Sequence, residues 1–144
     1  MKKFLILNGP NLNLLGKRQP EIYGSQTFEE YFSLLEKKYE HEDIVLYYFQ
    51  SNHEGTLIDK LHEVGFLWDG IVFNAGGYTH TSIALADAVA AISTPVVEVH
   101  ISNIYEREEF RHHSFLKNVC VESIVGNGLK GYEEALTFLM KTKI

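Results

Sequence analysis

Residues 4–24 read FLILNGPNLNLLGKRQPEIYG, and the fold is decided by how this stretch changes character at Asn8. Phe4, Leu5, Ile6 and Leu7 form a short apolar run, the pattern of a buried strand. Gly9-Pro10 then turns the chain. A segment rich in amides and cations follows before residues 25–27 open a helix. An irregular segment of that length is uncommon in a compact domain and tends to carry function. It holds Asn8, Asn11, Asn13, Lys17, Arg18 and Tyr23, which are donors and one candidate base. The stretch reads as a buried strand feeding an active-site loop.

Working outward, the same strand-then-helix unit repeats. Thr27-Phe28-Glu29-Glu30 has the capping-box pattern, and Phe28, Phe32, Leu35 and Tyr39 recur at helical spacing to about His41. Residues 44–49 are a second strand, β-branched and aromatic. The polar turn 50–55 leads into a helix with Leu57, Ile58, Leu61 and Val64 on one face, and Gly65 fits its C-terminal end. Asp69-Gly70 turns into a third strand, 71–73, which ends at Asn74-Ala75-Gly76-Gly77, a flexible loop where glycine lets backbone approach a ligand. Thr81 or Ser82 can cap a third helix reaching Ile92. A fourth strand, 96–99, runs into His100-Ile101-Ser102-Asn103, and a charged segment, 106–113, follows. Residues 119–125 are a fifth strand, and 132–141 a last helix offering Leu136, Phe138 and Leu139 to the core.

Strand and helix alternate five times with no repeat and no linker. This predicts one domain, 1–144, of the α/β class: a flavodoxin-like, doubly wound, five-stranded parallel sheet in a three-layer αβα arrangement. Ligands in such sheets sit beyond the carboxyl ends of the strands. Polar clusters stand there at 8–13, 50–52, 74–81 and 100–103.

The composition narrows the function classes. A chain of 144 residues with 45% hydrophobic and 22% charged residues has enough apolar surface for one proper core. A net charge of −6 argues against a general nucleic-acid binder, although a local arginine cluster can still receive a small anion. No apolar run approaches a bilayer span, and Met1-Lys2-Lys3 leads into a strand, so a cytoplasmic protein without a membrane segment is expected. The single cysteine, Cys120, leaves no internal disulfide; read as mid-strand, it is a small buried residue. Nucleotide-phosphate glycine motifs and the G-x-S-x-G elbow are absent. His112-His113 with Glu108 and Glu109 match no zinc spacing and read as a solvated charged face, so no metal is expected.

Three groups carry candidate chemistry, each beside a plainer reading. Tyr23 is the candidate base, but a free phenol has a pKa near ~10 and needs a cation to act near neutrality. Arg18, five residues earlier, and Arg111 could supply one, since a guanidinium stays protonated. On pattern alone, however, Tyr23 reads as a packing residue in a Pro-Glu-Ile-Tyr-Gly turn. His100 could act as a general acid, with Glu98 on the same strand face orienting it, or could simply bond backbone at a strand end. His80 precedes a helix whose N-terminal amides suit an anion; the plainer reading is that Thr81 or Ser82 caps that helix, and both can hold at once. Asp87, further along, reads as a solvated face residue.

The chain resembles the type II 3-dehydroquinate dehydratases. The resemblance rests on NGPNLNLLGKRQPEIYG (8–24), QSNHEG (50–55), NAGGYTHTS (74–82) and EVHISNIYEREEFRHHS (98–114), with a weaker VGNGLKGY (125–132). Their order spans nearly the whole chain. The resemblance implies a lyase that dehydrates 3-dehydroquinate to 3-dehydroshikimate in the shikimate pathway, with no cofactor and no metal. It implies Tyr23 as proton acceptor, Arg18 as the cation that keeps it near phenolate, and His100 as proton donor. Glu98 would orient His100, and Asn11 would hold a water at the enolate. Asn74, His80, Ile101, Ser102 and Arg111 would bind the substrate's carboxylate and hydroxyls. Asp87 would reach in from a neighbouring subunit of a dodecamer built from trimers.

The sequence departs from that pattern at Gly77, where alanine is expected, at Cys120-Val121-Glu122, and at Asn127. None is a chemical position, though Gly77 raises the question of a looser backbone beside Asn74. Two other classes remain distinct in their consequences. A silent binding module would hold a polyhydroxy acid without turnover, and a flavin or nucleotide carrier would be coloured as purified.

Overall fold

A computed structural model describes residues 1–141; residues 142–144 and the side chain of Tyr23 lie outside the described residues. Strands β1 (Lys2–Asn8), β2 (Ile44–Gln50), β3 (Gly70–Asn74), β4 (Val96–His100) and β5 (Glu122–Val125) pair in parallel in the order β2-β1-β3-β4-β5. This is the flavodoxin-like, doubly wound order expected from the alternation of elements. The register sets Asn8 beside Gln50 on one side and Asn74 on the other, so polar residues line up where the strands end.

Both faces of the sheet are covered, which explains why the strands read as continuous apolar runs. On one face Phe4, Ile6, Val72, Val97 and Val99 pack with helices α2 (Phe28–Lys38) and α5 (Lys130–Lys141). On the other, Leu5, Leu7, Ile71, Phe73 and Val96 pack with α3 (Glu54–Val64) and α4 (Ile83–Ala91). Each large apolar side chain so buried contributes about 1.5–3 kcal/mol relative to exposure. No described helix is long and apolar enough to cross a membrane.

The helix signals hold where side chains cap backbone. Thr27 Oγ1 accepts from the Glu30 N–H at 3.2 Å, and Glu30 Oε1 accepts from the Thr27 N–H at 3.1 Å. Ser82, not Thr81, caps α4 by accepting from the Leu85 N–H at 2.9 Å. The unusual Asn127 donates to the Glu134 carboxylate at 3.1 Å and ties the glycine turn to α5.

Three expectations need correction. Gly65 follows α3 with a right-handed φ of −69°, so no left-handed cap calls for glycine there. Close packing does: a Cβ would lie 2.3 Å from Ile92 Cγ2 and 2.5 Å from the Leu61 carbonyl oxygen. The fifth strand begins at Glu122 rather than at residue 119, because the Val119 and Cys120 N–H groups both bond the Leu116 carbonyl and close a turn. Cys120 therefore precedes the strand; it is partly buried, and burial pushes its thiol pKa up.

The long first loop is also less irregular than its composition suggests. It contains a 3-10 turn, Leu12–Leu14, and a short helix α1 (Pro20–Tyr23). Leu12 and Leu15 are buried against the α2–α5 side of the core, which anchors the loop.

Candidate active site

Beyond the carboxyl ends of β1, β3 and β4 lies a cavity of about 180 Å³. Pro10, Asn11, Leu12 and Arg18 line it from the first loop, and Asn74, Gly76, Gly77 and His80 from the loop after β3. His100, Ile101, Ser102, Ile104, Arg107 and Arg111 line it from the segment after β4. The chain leaves β1 toward β2 on one side and toward β3 on the other, so the cavity sits by the switch in strand order.

Backbone contacts between neighbouring loops set its floor. The Gly9 N–H donates to the Asn74 carbonyl at 2.7 Å. A Cβ at Gly9 would stand 2.5 Å from the Ala75 carbonyl oxygen, so only glycine permits this approach. The turn at 50–52, expected to line the site, braces it instead. Gln50 Nε2 donates to the Gly9 carbonyl at 3.1 Å, and Asn52 Oδ1 accepts from the Asn11 N–H at 3.0 Å. Asn11 itself has a left-handed φ of 70°, an unusual conformation of the kind that collects at functional sites.

Asn74 is oriented by a buried chain of hydrogen bonds. The Gly76 N–H can only donate, so the group it meets at 3.1 Å is Asn74 Oδ1. Asn74 Nδ2 then donates to Tyr132 Oη at 3.0 Å, and that phenol gives its own proton to Asn8 Oδ1 at 2.8 Å. One Asn74 N–H remains for the cavity. Tyr132 is fully buried, and burial raises its pKa, so it stays a neutral donor. Its place was hidden in the sequence, where it is only the first aromatic of the last helix.

A Cβ at Gly77 would meet no atom within 4 Å, so the missing methyl removes no packing contact.

His100 and Glu98 touch as their shared strand face predicts, with Nε2 at 2.7 Å from Oε2. Burial alone would raise the Glu98 pKa. The hydrogen bond and charge of His100 oppose it, joined by hydroxyl donors from Ser114 and Ser123, and the net direction is down. The carboxylate is thus held ionised, the proton of the contact sits on Nε2, and Nδ1 is left for a ligand.

His80 faces the same cavity, its ring centroid 6.3 Å from that of His100 at an interplanar angle of 24°. Its Nδ1 lies 2.8 Å from the His113 carbonyl, which can only accept, so Nδ1 carries the proton. Burial lowers the His80 pKa, and neighbouring His100 and Arg111 push it the same way. A neutral ring with a free Nε2 acceptor suits a ligand hydroxyl.

Arginines supply the positive charge. Arg18 and Arg111 line the cavity as expected, and Arg111 Nε donates to Glu108 at 2.8 Å. Arg107 lines it too, with Nη1 3.4 Å from Ser102 Oγ. It was missed because 106–113 read only as a charged segment, with Glu108, Glu109, His112 and His113 taken as a solvated face and Arg111 alone assigned to the site. Glu106, Glu108 and Glu109 are indeed exposed, but the two arginines four residues apart turn inward. Among the described residues no three of His, Cys, Asp and Glu gather closely enough to hold a metal ion.

Asp87 is exposed on α4 and does not line the cavity. The α1 backbone carries Tyr23, and the Gly24 N–H closes on the Pro20 carbonyl at 2.8 Å. The Tyr23 side chain lies outside the described residues.

The site is therefore a small pocket on a parallel α/β sheet, with three guanidinium groups and a carboxylate-backed imidazole lining one cavity. The chain belongs to the class II dehydroquinase family: the family model, Dehydroquinase class II, matches residues 2–140. It is 57% identical over 140 residues to the 3-dehydroquinate dehydratase of Bacillus pumilus, covering 97% of this chain and 95% of that one. It is 50% identical over 137 residues to the enzyme of that name from Gloeothece citriformis, covering 95% and 90%. The crystal structure of type II dehydroquinase from Butyrivibrio crossotus superposes with a TM-score of 0.92 at 47% identity, over 97% of this chain and 98% of that chain. The Propionibacterium acnes type II dehydroquinase gives 0.92 at 39% identity, over 99% and 98%.

Proposed function

We propose that this chain is a single catalytic domain that dehydrates 3-dehydroquinate to 3-dehydroshikimate, the hydro-lyase reaction EC 4.2.1.10 of the shikimate pathway toward chorismate and the aromatic amino acids. The observation that carries the reading is the Glu98–His100 pair facing a cavity lined by Arg18, Arg107 and Arg111. The cavity is smaller than the roughly 300–1,000 Å³ of drug-sized sites, which suits a substrate of about a dozen non-hydrogen atoms.

Tyr23, as phenolate, takes a proton from the carbon beside the substrate ketone, and the C–H electrons pass into an enolate. Arg18 keeps the phenol near its ionised form. A water held by Asn11 stabilises the enolate oxygen, the role that preorganised donors play at developing charge. The enolate then expels the hydroxyl on the next carbon, and His100 protonates it as it leaves as water. Asn74, His80, Ser102, Arg111 and the Ile101 backbone bind the carboxylate and hydroxyls. Acid and base stand on different elements, His100 at the end of β4 and Tyr23 on α1. The chemistry asks for no cofactor and no metal.

The direct test follows the ultraviolet absorbance of the conjugated enone product when 3-dehydroquinate is added in the presence of a metal chelator. Steady turnover is expected. Tight binding with no rise in absorbance would instead make the chain a binding module.

The working form in this reading is a cytoplasmic dodecamer built from trimers. Asp87 is exposed away from the cavity of its own chain, and Ile83 on the same helix exposes 60% of its surface. An adjoining copy would cover that face and bring Asp87 to a second cavity. Light scattering is expected to give a mass of about twelve chains, with activity falling as the assembly is diluted apart. A fully active monomer would overturn the trans role of Asp87.

A further inference from the structure

Glu98 is 1% exposed, yet its two oxygens meet three donors. His100 Nε2 stands at 2.7 Å and Ser123 Oγ at 2.6 Å, and Ser114 Oγ donates to the same oxygen as His100. A carboxylate taken out of water is costly unless its lone pairs are met in this way.

The two serines come from different parts of the chain. Ser123 lies on β5, directly in register with Glu98 on β4, and reaches Oε1. Ser114 ends the segment that carries Arg111. Its oxygen already accepts from the Leu116 N–H at 3.1 Å and the Lys117 N–H at 3.2 Å, so its proton has one destination, Glu98. The carboxylate therefore joins the strand bearing the acid, the neighbouring edge strand and the arm bearing a substrate-facing arginine.

We propose that Ser114 and Ser123 are positioning residues for the acid step, clamping Glu98 so that His100 keeps its Nε2 proton on the carboxylate and presents Nδ1 to the substrate. This rests on the reading of His100 as proton donor. Neither serine touches the cavity; both act through Glu98. The other titratable or charged groups around the pair among the described residues are His80, the cavity-lining Arg18, Arg107 and Arg111, and the Cys120 thiol.

Losing one donor leaves the carboxylate charge less dispersed, which raises the proton affinity of the Glu98–His100 pair as a unit. The test titrates nitrogen-15-labelled histidines by NMR in the ligand-free wild-type chain, Ser123→Ala and Ser123→Thr. In parallel, kcat and KM on 3-dehydroquinate are measured across pH. A bond to a charged group of ordinary strength predicts that Ser123→Ala raises the apparent pKa of the pair by about one unit. The same substitution should lower kcat roughly 3- to 30-fold and leave KM within about twofold. Ser123→Thr should restore both. If a folded Ser123→Ala protein titrates as the wild type does, the clamp is refuted whatever its turnover. If the titration shifts but the wild-type chain does not dehydrate 3-dehydroquinate, the clamp stands and the catalytic reading falls.

Discussion

Tyr23→Phe is expected to lower kcat on 3-dehydroquinate by about 10²–10⁴-fold, the usual contribution of a positioned base, with KM changed by less than about threefold. The change removes one oxygen and keeps the ring, so it deletes the proton acceptor without opening the loop. The expectation depends on charge. A phenol with a pKa near ~10 is almost fully protonated at neutral pH, and only a nearby cation makes it a competent base. Arg18 precedes it by five residues and lines the cavity, and Arg107 and Arg111 line the same space. In the proposed mechanism Arg18 lowers the cost of the phenolate, and because a guanidinium does not give up its proton it does not compete for the one that Tyr23 must take. Initial rates by enone absorbance and substrate affinity by calorimetry separate the two effects. Turnover at the wild-type rate would mean that another group takes the proton.

Sequence and structure agree where burial determines both. Phe4 to Leu7, Ile71 to Phe73 and Val96 to Val99 are buried on two faces, so their apolar runs announce parallel strands. The polar residues that end those runs could only come together at one sheet edge, which is why Asn11, Asn74, His80, His100 and Ser102 were legible as one set, whereas Arg111, in the charged segment, was assigned to substrate only through the resemblance. Contacts between residues far apart in the chain were not legible. Nothing local shows that Tyr132 bonds Asn74 and Asn8, or that Ser123 bonds Glu98. Hydropathy reports that a residue is buried, not which polar group it meets. Val119, Cys120 and Val121 have the composition of a strand, but the Leu116 carbonyl draws the backbone there into a turn. Arg107 was hidden for the opposite reason: in a segment of alternating charge, composition cannot say which side chains turn inward. For Tyr23, pattern alone favoured a packing role, and the resemblance to the dehydratases is what reverses it.

Glu98→Ala should damage stability and catalysis together, and the pH dependence can separate the causes. Removing the carboxylate leaves the His100 N–H and the Ser114 and Ser123 hydroxyls without their acceptor in the core, a cost of about 1–3 kcal/mol for each buried donor left unmet. Urea unfolding at pH 7 measures it. The Glu98 pKa lies below its ordinary value despite burial, which by itself acts in the opposite direction, because His100, Ser114 and Ser123 favour the charged form. A carboxyl depressed in the folded state stabilises the fold fully above its unfolded pKa of roughly 4.3. That contribution disappears as the pH falls through the folded value. The stability gap between wild type and Glu98→Ala should therefore be largest near neutrality and narrow below about pH 4. Glu98→Gln keeps the volume and one acceptor oxygen, so it should lose less stability. Its kcat should still fall roughly 10²-fold, since a neutral amide cannot balance the imidazolium that donates the proton. A Glu98→Gln protein that is as active as wild type would mean that the carboxylate serves packing alone.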